Sequence, residues 1–191
     1  MNRRSVQVKA ILSMGILVGL GGVSTLAAWT GTATATSSIT AAKVSLGVGA
    51  TASSATSESY TVPVSSVSWY PKASAAAVVV VKNTGTVALP YSVKGSITES
   101  GGVELGKAMQ VLVKTGSTVS GTAPNAICSG GNTVVDKSAG SAFGAAVDVS
   151  TLAVGTSESL CVQYSLPVNA ANNLQGATTK LDLVFTGTVG S

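Results

Sequence analysis

The chain has 191 residues, 9% of them charged, and it contains no histidine. Its formal net charge of +4 arises from 11 Lys and Arg residues against 7 Asp and Glu residues. Three of the positive charges, Arg3, Arg4 and Lys9, lie at the N-terminus, and the other lysines are dispersed singly. A nucleic-acid interface needs clustered basic side chains, so the sequence argues against nucleic-acid binding. The lack of histidine excludes Ser-His-Asp and Cys-His catalytic sets.

The N-terminus has the three parts of a secretory signal peptide, namely a basic start, an apolar run and small residues. We expect residues 1–27 to form a helical signal peptide that is cut between Ala27 and Ala28. The product is then a secreted protein at the cell surface or in an extracellular matrix. A membrane-spanning helix needs roughly 20 apolar residues, which the apolar run approaches. The alternative is therefore a surface protein that an uncleaved leader tethers to the membrane.

Residues 28–40 are small and mostly polar, with Trp29 as their only aromatic side chain. Threonine and alanine alternate from Thr32 to Thr36 with a period of two residues, which is the side-chain repeat of a β-strand. Such a strand needs a partner edge with which to pair. We therefore treat residues 28–40 as an N-terminal segment ahead of one domain, residues 41–191.

The domain is rich in valine and threonine, which favour β-strands. Segment 77–82 is a continuous apolar run, as expected for the centre of a sheet, whereas Pro63 confines its own segment to an edge or an end. Many short strands between turns predict an all-β, antiparallel sandwich without an amphipathic helix. The predicted strands are 43–48, 60–64, 66–69, 77–82, 91–97, 109–114, 145–149, 159–166 and 178–188.

The two cysteines are Cys128 and Cys161. In an exported protein such a pair predicts a disulfide; two free thiols are the alternative. Cys128 lies in the Gly- and Ser-rich segment 117–142, which we expect to be a long loop, and Cys161 alternates with the apolar Leu160 and Val162. The disulfide would pin this loop to the outside of a strand. A redox role lacks a Cys-x-x-Cys motif.

Three sequence features in this order are typical of one family. The leader boundary reads GGVSTLAAWT (residues 21–30), a strand and turn read VVVVKNTGT (78–86), and the C-terminal part contains LCVQYSLP (160–167), NNLQG (172–176) and LDLVF (181–185). Together they resemble the TasA/camelysin family of secreted biofilm-fibre proteins, in an actinobacterial version. The resemblance spans most of the chain but not segment 117–142.

The resemblance implies a jelly-roll sandwich and cleavage between Ala27 and Ala28 by a SipW-type signal peptidase. It also implies fibre assembly by donor-strand exchange, in which the freed N-terminal segment enters the sheet of the next subunit. The candidate donor-strand residues are Ala28, Trp29, Thr30, Thr32, Thr34 and Thr36, with Trp29 as an anchor. A disordered tail is the alternative for this segment. Two departures from the family are Gly31, where an acidic residue is common, and a C-terminus without a glutamine-ending strand.

Two other activities find little support. Camelysin-like proteins have been labelled metallopeptidases, but this chain has no histidine and its seven acidic residues are scattered, which does not suit a zinc site. We expect no catalytic residues, no metal and no cofactor. Residues 69–72, WYPK, resemble the pilin motif that sortases crosslink, yet no Leu-Pro-x-Thr-Gly signal occurs. A proline turn with a solvated lysine is the favoured interpretation.

The sequence thus predicts a secreted, non-enzymatic protein that forms surface or biofilm-matrix fibres. Its expected partners are the signal peptidase and further copies of itself, with membrane contact only through the leader. The main alternative is a monomeric exported module that binds a partner through its loops. Fibre formation requires residues 28–40, and monomeric binding does not.

Overall fold

The computed structural model describes residues 7–12, 33–64 and 68–190. Two compact units are distinguished, Met1–Thr40 and Ala41–Ser191. In the first, residues 7–12 are helical, and residues 33–40 are exposed and have no regular secondary structure. The predicted cleavage site between Ala27 and Ala28 lies outside the described residues. Where the chain is described, no helix combines the length and apolar character that crossing a membrane requires.

The regular secondary structure of the second unit consists almost entirely of β-strands. One short helix, α1 (Leu105–Ala108), and a 3₁₀ turn (Asn172–Leu174) interrupt them. The strands are β1 (Leu46–Gly49), β2 (Ser74–Asn83), β3 (Leu89–Ser100), β4 (Gln110–Thr115), β5 (Thr118–Ser120), β6 (Ile127–Ser129), β7 (Asn132–Lys137), β8 (Ala146–Leu152), β9 (Ser157–Ser165) and β10 (Thr178–Gly187).

The strands form two main antiparallel sheets that share one core. The larger sheet has the order β1-β2-β9-β4-β7, and the smaller has the order β10-β3-β8. Strands β5 and β6 pair with each other as a separate hairpin. The all-β, antiparallel sandwich predicted from the sequence is therefore confirmed.

The core lies between the inner faces of the two sheets. Alternate residues of neighbouring strands, such as Val81 of β2 and Val162 of β9, are fully buried in the larger sheet. Val93 of β3 faces them from the smaller sheet and is also fully buried. Each such side chain stabilises the fold by about 1.5–3 kcal/mol when it leaves water. The period-two patterns of the sequence thus place one face of each strand in a common core.

The disulfide between Cys128 and Cys161 is present and lies on the outer face of the larger sheet. Cys161 is 1% exposed and faces away from the core residues Leu160 and Val162, as predicted. The Cys128 N–H also donates a hydrogen bond of 2.8 Å to Oε1 of Gln163 on β9. The hairpin β5–β6 is therefore fastened over β2 and β9, which explains why the apolar strand β2 is largely covered on both faces.

Two expectations about strands are wrong. Segment 117–142, expected to be a loop, contains β5, β6 and β7; its frequent glycines mark tight turns between very short strands. Residues 60–64, expected to be a strand, form none, because no neighbouring strand pairs with them. Of the predicted strand 66–69, residues 66 and 67 lie outside the described part of the chain, and residues 68 and 69 are not in a strand.

Candidate strand-binding groove

An apolar groove opens on one side of the sandwich, between β1, an edge strand of the larger sheet, and β10, an edge strand of the smaller sheet. Besides its pairing with β2, β1 is bridged at Val48, whose N–H donates to the Ser57 carbonyl at 2.8 Å. The groove has a volume of about 610 Å³. Leu46 and Val48 of β1 line one wall, residues of β10 line the other, and the core residues Val79 and Met109 reach its floor.

Strand β10 leaves part of the core uncovered along this groove. Its inward-facing side chains, Leu181, Leu183 and Phe185, pack against the core but are only half-buried. The backbone of β10 pairs with β3 on one side only. An edge of this kind presents unpaired N–H and C=O groups that another strand can satisfy. Apolar side chains and a free backbone edge therefore occur together at β10.

Residues 58–64, here called the strap, run along the groove without joining either sheet. Tyr60, Val62 and Val64 are half-buried against the core, whereas Thr61 and Pro63 between them are exposed. To other described residues the strap backbone makes one hydrogen bond, within itself, from Val64 N–H to Val62 C=O at 2.8 Å. The strap thus shields apolar surface with its side chains and leaves the β10 backbone edge unpaired.

Tyr164 of β9 contributes a polar group to the groove. The residue is 3% exposed and lines the cavity. Burial, together with the negative charge of Asp182, raises the pKa of Tyr164 to about 12. The hydroxyl consequently stays protonated at physiological pH and is available as a donor.

The charged residues at the groove sit at its rim. Lys180 and Asp182 alternate along β10 with the inward-facing leucines, and Lys180 Nζ lies 2.9 Å from the Asp182 carboxylate. Glu58 at the start of the strap is exposed. The two charges that β10 brings to the groove, Lys180 and Asp182, are thus paired with each other.

A second cavity of about 500 Å³ lies among loops at α1 and the 3₁₀ turn. Its lining consists mainly of small and polar residues, including Gly102, Asn169 and Asn173. The charges at this cavity, Glu104 and Lys107, form an exposed ion pair at 3.1 Å. Such a pair contributes little and offers no net charge to a ligand.

Only some of the residues predicted for donor-strand exchange lie in the part of the chain that the structure describes. Thr34 and Thr36 are exposed. The other candidates lie outside the described residues: Ala28, Trp29, Thr30 and Thr32. The groove itself was missed from the sequence, because alternation along β10 identifies a strand but does not say which strands end a sheet.

Residues 70–73 form a turn, as predicted for the segment around Pro71. The Ala73 N–H donates to the Tyr70 carbonyl at 2.9 Å, and Lys72 has φ of 77° with an exposed side chain. In addition, the part of the chain that the structure describes holds no group of three or more His, Cys, Asp or Glu residues that could bind a metal ion.

The sequence matches no protein-family model and no curated protein. The function therefore has to be inferred from the groove, from the exposed N-terminal segment and from the motifs described above.

Proposed function

We propose that this chain is a secreted structural protein that forms surface or biofilm-matrix fibres by donor-strand exchange. Residues 28–40 of one copy would enter the groove of the next copy and add a strand to β10. The observation that carries this proposal is the unpaired β10 edge beside half-buried core side chains. A strand added there would gain backbone hydrogen bonds and cover apolar surface in one step.

The proposed assembly is a head-to-tail interface. Each copy offers one donor segment and one groove, and these are different surfaces of the chain. A heterologous contact that does not close on itself generates an open filament. Cleavage between Ala27 and Ala28 by a SipW-type signal peptidase would free the donor only after export. The disulfide Cys128–Cys161 is compatible with that extracellular location.

In this proposal the protein acts without catalysis or cofactor, in a jelly-roll sandwich of the TasA/camelysin kind. The alternative, a monomeric exported module that binds through its loops, would use the cavity at α1. That cavity has polar and apolar lining in about equal measure and bears an exposed ion pair of opposite charges, whereas the groove is lined mainly by apolar surface beside the free backbone edge of β10. The groove therefore favours the fibre.

The test compares two versions of the protein by negative-stain electron microscopy over days at several concentrations. All ten strands lie within Ala41–Ser191, so chains that begin at Ala28 or at Ala41 both keep the complete sandwich. We expect filaments with a regular subunit repeat from the Ala28 chain and dispersed particles from the Ala41 chain. Dispersed particles from both chains at every concentration would contradict spontaneous self-assembly.

A further inference from the structure

The N-terminal segment has two unlike faces when it is extended, because alternate residues of a strand point to opposite sides. One face carries apolar or small side chains, and the other carries hydroxyl side chains throughout. The first face consists of Trp29, Gly31, Ala33, Ala35, Ser37 and Ile39, and the second of Thr30, Thr32, Thr34, Thr36, Ser38 and Thr40.

Ile39 is the clearest sign that the first face lacks its partner in the free chain. Its side chain is 93% exposed, more than that of any other large hydrophobic residue described as exposed. Single exposed apolar residues are common, but this one belongs to an uncharged stretch that runs from Lys9 to Lys43. Burial of this stretch in an apolar groove would therefore require no charge to leave water.

The segment and the groove also agree in length and in shape. Strand β10 has 10 residues, and residues 29–39 would extend along it for about 33 Å at roughly 3.3 Å per residue. The side chains of Tyr60 and Val62 already occupy part of the groove. A strand with small residues at its middle, Ala33 and Ala35, can approach these side chains more closely than a bulkier strand.

We propose that the donor strand enters the groove of a second copy with Ala33, Ala35 and Ile39 facing inward. Ile39 is then an anchor at the C-terminal end of the donor, and the threonine face stays in solvent. This inference rests on the proposed function and specifies which side of the donor is recognised. The acceptor is the half-buried apolar row of β10, Leu181, Leu183 and Phe185.

The position of Ile39 sets how close the two copies must be. Ile39 is followed within four residues by Lys43, whose N–H donates to Oγ1 of Thr86 at 2.8 Å within the same sandwich. Four residues span at most about 14 Å. The acceptor copy must therefore lie directly against the sandwich from which the donor emerges, as in a continuous fibre of one kind of subunit.

The experiment measures peptide binding to a chain that cannot polymerise. The acceptor is the chain that begins at Ala41, which keeps the whole sandwich, and the ligand is a synthetic peptide of residues 28–40. Binding is followed by amide chemical shifts of β10 in ¹⁵N spectra. Two matched pairs of peptides are compared, Ala35→Lys with Thr36→Lys and Ile39→Lys with Ser38→Lys. Folding of the acceptor is unaffected, because all substitutions are in the peptide.

We expect the wild-type peptide to bind and to shift the amides of β10. The inward-facing substitutions, Ala35→Lys and Ile39→Lys, should weaken binding by about tenfold or more, because they bury a charge against apolar walls. Thr36→Lys and Ser38→Lys should weaken it by less than about threefold, as expected for exposed positions. Equal losses within each pair, or the reversed pattern, would overturn the face assignment while leaving strand exchange intact. A wild-type peptide that does not bind would overturn the proposed function itself.

Discussion

Asn83 is a buried polar residue that joins three parts of the sandwich, and its replacement should be strongly destabilising. It is the last residue of β2 and is 0% exposed. Its Nδ2 donates to the carbonyls of Val87 at 2.7 Å and Leu152 at 3.0 Å, and its Oδ1 accepts from the Gly85 N–H at 2.9 Å. The side chain thus links β2 to the approach to β3 and to the end of β8.

The magnitude follows from the three hydrogen bonds. Asn83→Ala removes all of them and leaves two carbonyls and one N–H without their partner. Each bond contributes about 1 kcal/mol net, and each buried group left unpaired costs about 1–3 kcal/mol. We therefore expect Asn83→Ala to lower the free energy of unfolding by about 3–5 kcal/mol. This is a large part of the roughly 5–15 kcal/mol by which a typical domain is stable.

Asn83→Asp gives a sharper test, because the loss should depend on pH. At neutral pH the aspartate keeps the bond from Gly85 but points a carboxylate oxygen at two carbonyls. Burial and these carbonyls raise its pKa in the folded state above the ordinary value of about 3.9. The native state then binds more protons than the unfolded state, so stability falls as the pH rises through this range. The protonated form can donate again and restores part of the stability.

The assay is urea unfolding at pH 4 and pH 7 of the wild type, Asn83→Ala and Asn83→Asp. Asn173→Asp is the matched control, because Asn173 is exposed, and it should change stability by less than about 0.5 kcal/mol. We expect the loss caused by Asn83→Asp to be smaller at pH 4 than at pH 7. A pH-independent loss, or a loss as small as that of the control, would refute the role assigned to Asn83.

Three further predictions concern the stability of the sandwich. Replacing both Cys128 and Cys161 by Ala should lower the free energy of unfolding by about 3–4 kcal/mol, since the disulfide closes a loop of 33 residues; equal denaturation midpoints would contradict this. The raised pKa of Tyr164 adds stability that is complete below about pH 10 and is lost as the pH rises toward about 12. Between pH 9 and pH 11.5 the free energy of unfolding should therefore fall less for Tyr164→Phe than for the wild type. Equal decreases in the two proteins would contradict this role of Tyr164. Lys137 Nζ donates to the carbonyls of Lys107 at 2.9 Å and Met109 at 2.6 Å. Lys137→Met should therefore lower the free energy of unfolding in urea by about 3 kcal/mol. An unchanged free energy of unfolding would show that these carbonyls find other partners.

The strands of the core could be predicted from the sequence because their side chains alternate or form apolar runs. Segments 77–82 and 91–97 lie within the longer strands β2 and β3, and segment 178–188 coincides with β10 to within one residue. Strands β5 and β6, of three residues each, carry too few side chains to show a period. Residues 60–64 alternate as a strand does, yet they pair with no strand, because alternation reports which side chains are buried and not which backbone groups are paired.

The candidate groove depends on information that the sequence pattern does not contain. Leu181, Leu183 and Phe185 alternate in the same way as the fully buried residues of β9, so the sequence gives no sign that they are covered less completely. Their partial exposure follows from the order of strands, which leaves β10 at the end of its sheet. Asn83 is a similar case, because an Asn-Thr-Gly-Thr turn predicts a surface residue, and the structure places its side chain in the core.

The strap covers part of the apolar surface of the groove with side chains alone. An exposed apolar edge strand can pair with other chains and cause aggregation. The side chains of Tyr60, Val62 and Val64 reduce the apolar surface that is exposed at the groove. If the strap also paired with β10, its backbone would occupy the free N–H and C=O groups of that strand, and another strand could form no hydrogen bonds there. Because the strap makes no backbone bond to β10 among the described residues, the donor strand that we propose would gain hydrogen bonds along the free edge of β10. In the proposed fibre, side-chain cover without backbone pairing would limit nonspecific association and still leave the edge open to a strand that carries the matching face.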